Sequence, residues 1–513
     1  MRYFAFLVSF LALLISHTLP AATLRMAFDS EPISLDPQEQ LSESTLQFSH
    51  MVFDPLVRWT QDGKIQPRLA TSWKQISPTT TRVYLRKNVH FHNGNLFSAK
   101  DVIYTIDRLK RSPDFRALFT SIDSVTKVNE YAVDIHCNHP TPLLLNILTY
   151  VFPMDKKFYE GRDQIVKFGR TFASQHTSGT GPFIIKERDP GVRMVLVRNK
   201  DYWDTKSKGN VDKLILTPIR NDSTRLAALL SGDVDFIFPV SPVDIARAKE
   251  ADNIQVITLP TSRLLLLQLN QKRRKEFRDI RVREAINLAI NQPLIVKKIL
   301  RGYARPAGQL SASSLLGYVD TIKPEYNLKK ALQLMKEAGY PHGFRVSMMA
   351  PNNRYMDDEK VAQAVAAMLG RLHITVDLKT LPKAQYFQQY DARAADIMML
   401  GWQSDTMDSN NLFEFLTACP DAKSGLGAYN ASEYCVPSIN SEITQANREM
   451  NLKKRTKILQ DIETKVADSA AVVPLYWQDL TWAAKDNIGI KDIVNEQNYP
   501  HLGDLVITPP KSN

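Results

Sequence analysis

The sequence predicts an α/β protein built of two or more lobes, and three observations carry that prediction. Between Phe344 and Leu400, strand-like and helix-like stretches alternate, which implies parallel strands joined by right-handed crossovers. The last of these strands, Ala395 to Leu400, is apolar throughout, as suits a strand covered on both faces. It stops abruptly at Gly401-Trp402-Gln403-Ser404-Asp405. At 513 residues the chain also exceeds what one core usually supports. Open α/β folds bind ligands where strands leave the sheet. There Trp402 offers a flat apolar wall, and Asp405 a negative charge to hold a cation.

The chain begins with Arg2, an apolar stretch from Phe4 to Ile15, and small residues at Ala21 and Ala22. That pattern reads as an export signal over residues 1–21, cleaved near Ala21 or Ala22. It is too short for a membrane span, which takes about 20 apolar residues. No Cys stands at the junction to carry a lipid. Thr23 to Phe28 reads as a strand. The following Asp29-Ser30-Glu31-Pro32-Ile33-Ser34-Leu35-Asp36-Pro37 reads as a stiff, extended loop, because its prolines disfavour helix.

Short strands then alternate with one clear helix, announced by the capping-box-like Ser98-Ala-Lys-Asp101. Ser178-Gly179-Thr180-Gly181-Pro182 marks a turn. Ser223 to Leu230 reads as a helix capped by Ser223 and closed by Gly232. Asp279 to Leu300 reads as one long amphipathic helix stopped at Gly302. Asn327 to Ala338 reads as another, with Asn327 as N-cap and Gly339 just past its end.

In the alternating region, Phe344 to Ala350 is a strand, Asp358 to Leu372 a helix, and Ile374 to Leu378 a strand. Lys383 to Asp391 is a short helix before the strand Ala395 to Leu400. Parallel pairing would open the loops after the first and last strands on one edge, and those loops carry Arg354 and Trp402 to Asp405. A cation and an anion on one rim can hold the two ends of a zwitterion. Asp405 would take an α-ammonium and Arg354 a carboxylate.

Composition excludes more than it selects. The net charge of +11 could point to nucleic acid, but Lys and Arg are scattered. The densest cluster, Lys272-Arg273-Arg274-Lys275, is short, followed by Glu276, and reads as a solvated loop. Export also removes the usual nucleic-acid partner. Of three cysteines, Cys419 and Cys435 stand close in loop-like sequence; in an oxidising compartment a bridge between them would add roughly 3 kcal/mol. Cys137, in an alternating run, reads as a buried thiol, and three such spaced cysteines make no zinc site. No Gly-x-Ser-x-Gly elbow or His-Glu-x-x-His motif supports the rival reading of an exported hydrolase. His90 and His92 would share a strand face but have no third matched ligand. No segment argues for a chaperone.

Several segments in order resemble one family. They include Ser34-Leu-Asp-Pro37, Phe53-Asp-Pro-Leu-Val-Arg58, Phe91-His-Asn-Gly94, Gly179-Thr-Gly-Pro-Phe183, Arg198-Asn-Lys-Asp-Tyr-Trp203, Val282-Arg-Glu-Ala-Ile-Asn287 and Gly401-Trp402. The chain resembles the family-5 periplasmic solute-binding proteins of ABC importers, most of all the peptide-binding members.

The resemblance implies a two-lobed clamshell of the type II, cluster C kind with an extra subdomain in lobe I. Lobe I would comprise residues 22–58, 176–261 and 479–513, the subdomain 59–175, and lobe II 262–478. It implies a monomeric periplasmic binder without cofactor. Such a protein would pass a peptide to an inner-membrane ABC permease and its ATPase subunits; a nickel chelate, haem or another solute is the alternative ligand. By the same resemblance Asp405 holds a peptide ammonium, while the backbones of Trp402, Gln403 and Ser404 and of Glu31, Pro32 and Ile33 pair with the ligand. Cys419 and Cys435 sit as in the dipeptide-binding type. Two positions depart from the pattern: Asn93 replaces a frequent Asp, and Ser409 a frequent Pro.

Overall fold

Two long antiparallel strands, Ile254–Leu269 and Val472–Lys485, run side by side through the whole molecule and join its halves. Their pairing register shifts between Pro260 and Leu264. The structure is a computed structural model that describes residues 22–509. The expected export signal therefore lies outside the described residues. No described helix is long and apolar enough to cross a membrane.

On one side of the paired strands, the sheet continues through Phe236–Phe238, Ala22–Phe28, Val211–Pro218, Arg193–Arg198 and Phe183–Asp189. On the other side it continues through Ile397–Trp402, Arg345–Pro351 and Thr375–Leu381. These last three are parallel to one another, as the β-α-β-α-β alternation predicts. A separate four-stranded antiparallel sheet, Ala70–Ser77 to Cys137, carries the helix Ala99–Leu109. In that helix the Asp101 carboxylate accepts from the Ser98 backbone N–H at 2.9 Å, so the expected capping box is present.

Two helix readings are corrected. The stretch from Asp279 is not one helix: Ile280–Ala289 ends at Ile290, and Asn291 starts a second, Gln292–Lys298. The Asn291 side chain accepts from Leu294 N–H at 2.9 Å, and Pro293 at the second helix's first turn cannot continue the ladder. Asn221, not Ser223, caps Asp222–Leu230, accepting from Thr224 N–H at 2.9 Å, while Ser223 bonds to Asp244.

The family-like segments have identifiable work. Asp36 forms a bidentate, fully buried pair with Arg108, tying the loop before Pro37 to the helix Ala99–Leu109. Asp54 gathers Arg68, Tyr202 and Trp203. The two departures are accommodated. Asn93 donates to Asp155 at 2.7 Å, where an Asp would repel it. Ser409 receives bonds from Ser311 Oγ and Gly317 N–H that a Pro would lack. In the basic cluster Lys272, Arg273 and Arg274 pair with Glu433, Asp396 and Glu276. Cys419 and Cys435 are joined, and Cys137 is free and buried.

Candidate ligand-binding site

The lobes meet along a line of polar contacts. Asn146 donates to the Thr406 carbonyl at 2.7 Å, Lys383 to Ser44 Oγ at 2.8 Å, and Tyr429 to Asp114 at 2.9 Å; Lys167 bridges Asp114 and Asp391. The molecule is thus a closed clamshell.

Asp405 lies on the inner face of this junction. The strand Ile397–Trp402 is fixed on both edges, by Leu264–Leu269 and by Arg345–Pro351, so the loop after it leaves from a rigid base. Trp402 is buried in the core, stacked on Phe415 and against Tyr429, and its Nε1–H donates to Asn411 Oδ1 at 2.9 Å. The same oxygen accepts from Asp405 N–H at 3.0 Å, so the tryptophan holds the loop rather than facing a ligand with its ring. The fully buried Ser404 hydroxyl donates to the Asp408 carbonyl and accepts from its N–H, closing the turn. Gln403 reaches the returning segment, donating to the Glu496 carbonyl at 2.6 Å.

The Asp405 carboxylate is 9% exposed. Tyr150, from the opposite lobe, donates to Oδ1 at 3.2 Å, and Oδ2 has no hydrogen-bond partner among the described residues. Burial pushes its pKa up to about 7, with Tyr150, Asn411 and Arg263 pulling the other way. The nearby Thr406 Oγ1 and Asn411 Nδ2 are buried without partners as well. A buried acceptor left open next to unanswered polar atoms is costly unless something polar completes it.

Arg354 sits on the same rim, and the parallel strand order places its loop beside that of Asp405. Its backbone N–H bonds to Asp358, and its guanidinium donates at 2.7 Å to Glu43, the first residue of Glu43–Val52 in the facing lobe. Arg263, on the strand between the lobes, grips the same carboxylate through both terminal nitrogens at 3.1 and 2.9 Å, and Asn498 adds a further donor. The two guanidinium groups outweigh burial and hold Glu43 down to about 2. Lys383 is buried beside them, and desolvation followed by Arg354 lowers it to about 8. Glu43, Arg263, Tyr150 and Lys383 are functional candidates that sequence reasoning missed. They come from segments far apart in the chain, and no local motif marks them.

Glu31, Pro32 and Ile33 form one wall of an open cleft of about 900 Å³ whose other wall includes Lys383. Glu31 Oε1 accepts from Gly191 N–H at 2.8 Å, which anchors the loop. A second cleft of about 490 Å³ opens between Asp29 and Arg220 on one lobe and Asn352 to Lys360 on the other. Among the described residues no group of three or more His, Cys, Asp or Glu is placed to hold a metal ion. His92 instead bonds the Gly181 carbonyl at 3.0 Å.

A sheet shared by two lobes, closed over buried polar groups at strand exits, defines a solute-binding clamshell. Residues 64–424 match the model of the bacterial extracellular solute-binding proteins, family 5, and the chain belongs to that family. It is similar to di/tripeptide-binding protein 1 of Pseudomonas aeruginosa, 25% identical over 489 residues and 89% of either chain. It is likewise similar to the dipeptide-binding protein of Escherichia coli, 25% identical over 497 residues and 90% of either chain. Among solved structures it resembles the Helicobacter pylori periplasmic binding protein DppA in complex with the peptide STSA. The TM-score is 0.85 at 25% identity, covering 95% of this chain and 98% of that one.

Proposed function

We propose that this chain captures peptides by their amino end between its lobes. The closed complex then goes to an inner-membrane ABC permease and its ATPase subunits. The observation that carries the reading is the Asp405 carboxylate, buried with one oxygen bonded by Tyr150 and the other without a hydrogen bond among the described residues. An α-ammonium brings the missing charge and three donors, enough for Oδ2 and for the open Thr406 hydroxyl. Backbone groups of Trp402 to Ser404 and of Glu31 to Ile33 would then read the peptide chain without reading its side chains. The similarity to di- and tripeptide-binding proteins supports the same ligand class. Export to the periplasm, cleavage near Ala21 or Ala22 and a binding role without a catalytic step belong to this reading.

The test is native mass spectrometry of protein purified from its host. A bound mass equal to a short peptide, lost on denaturation, is the expected result. A metal chelate or haem at that mass would overturn it, and turnover of chromogenic ester or peptide substrates would overturn the non-catalytic role.

A further inference from the structure

Glu43 takes up the Arg354 guanidinium that the sequence reading offers to a ligand carboxylate. Its two oxygens receive two N–H groups from Arg263, one from Arg354 and one from Asn498, which fills a carboxylate's acceptor positions. The cluster is largely withdrawn from solvent: Arg263 and Arg354 side chains are 6% and 11% exposed, and Glu43 10%. An incoming carboxylate would have to expel an ionised side chain or lie beside it in a poorly solvated space, and like charges there repel strongly. Lys383, the remaining cation of the cluster, donates to Ser44 Oγ at 2.8 Å. Asp405, by contrast, has an oxygen without a hydrogen-bond partner among the described residues.

We infer that the cleft reads the amino end of its ligand and leaves the carboxyl end unread, so that its substrates are peptides taken whether or not they carry a free terminal carboxylate. Amidated peptides and peptides extended at that end are then accepted alongside dipeptides, their tails leaving by the open clefts on either side of the Glu43 cluster. Arg354 becomes a positioning residue that holds Glu43 across the lobes, instead of the carboxylate clamp its place on the rim suggests. The inference rests on the amino-end reading of Asp405.

Calorimetry with three probes tests it: Ala-Phe, Ala-Phe amide and N-acetyl-Ala-Phe. In the unmodified chain the acid and the amide should bind within about threefold of each other, and the acetylated probe about 100-fold more weakly. Glu43→Gln, which removes the internal anion, should shift preference toward the acid by about tenfold. If that variant does not fold, the acid-to-amide ratio of the unmodified chain decides alone. An acid bound tenfold or more tightly than the amide overturns the inference and leaves the amino-end reading standing. An acetylated probe bound as well as the free amine, or no probe bound at all, refutes the amino-end reading itself.

Discussion

Peptide affinity should depend steeply on pH below neutrality, because the residue proposed to hold the ammonium is itself half protonated near pH 7. Burial pushes Asp405 up to about 7, and the ammonium needs its ionised form. Binding below that pH must therefore release a proton, and affinity falls toward tenfold per unit as pH drops. The ionised fraction goes from about one half at pH 7 to about one hundredth at pH 5. Affinity should weaken about fifty-fold between them, or ~2.3 kcal/mol. Above about pH 8 the peptide amine loses its own proton, and affinity declines again. Glu43, held down to about 2, stays charged throughout, and Lys383, at about 8, titrates only on the alkaline side. Asp358, beside Arg354 at the cleft, is also held up to about 7 by burial, so the share of the acidic limb that belongs to Asp405 is the part that its substitution removes. Calorimetry at pH 5, 6 and 7 in buffers of different ionisation enthalpy gives both affinity and protons released. A flat affinity from pH 5 to 7 with no proton release would refute the reasoning, and Asp405→Asn should flatten the limb.

Other consequences concern stability. Asp405, Glu414 and Glu463 are all held up to about 7 by burial, so they bind protons more readily folded than unfolded. Their burden on the fold grows as pH rises from about 4 to 7, up to roughly 4 kcal/mol for Asp405 alone. Buried His50 and His501, held well below 6.5, lose stability on acidification and oppose that trend, so the test is Asp405→Asn, which should raise the ligand-free melting temperature more at pH 8 than at pH 5. An unchanged melting temperature contradicts this. Asp36→Ala strands the fully buried Arg108 and should cost about 3–5 kcal/mol in urea denaturation, whereas a loss under 1 kcal/mol would mean the pair is dispensable. Non-reduced peptide mapping should recover Cys419 linked to Cys435 and Cys137 free. Cys419→Ser with Cys435→Ser should cost roughly 3 kcal/mol for a bridge across a separation of 16 residues.

What could be read from sequence followed the range of the physics. The parallel strands from Arg345 to Trp402 were legible because hydrophobic periodicity and strand order are local, and they put Arg354 and Asp405 on one edge. The helix break at Asn291 was not, because Leu294 and Ile295 keep the apolar spacing going through the interruption. Trp402 was visible as a large residue at a strand exit, but which way its ring turned depended on Phe415 and Tyr429. Glu43 was invisible for a different reason. Its meaning comes from Arg263 and Arg354, 220 and 311 residues away, and only closure of the lobes brings them to it.

The central claim is that Asp405 anchors the amino end of a peptide, and comparing the unmodified chain with Asp405→Asn tests it most directly. Asn keeps the shape but removes the charge, so a short peptide with a free amine should bind about 100-fold more weakly to the variant, while circular dichroism is unchanged. Equal affinity of the two proteins for the same peptide at pH 7.5 would contradict the account.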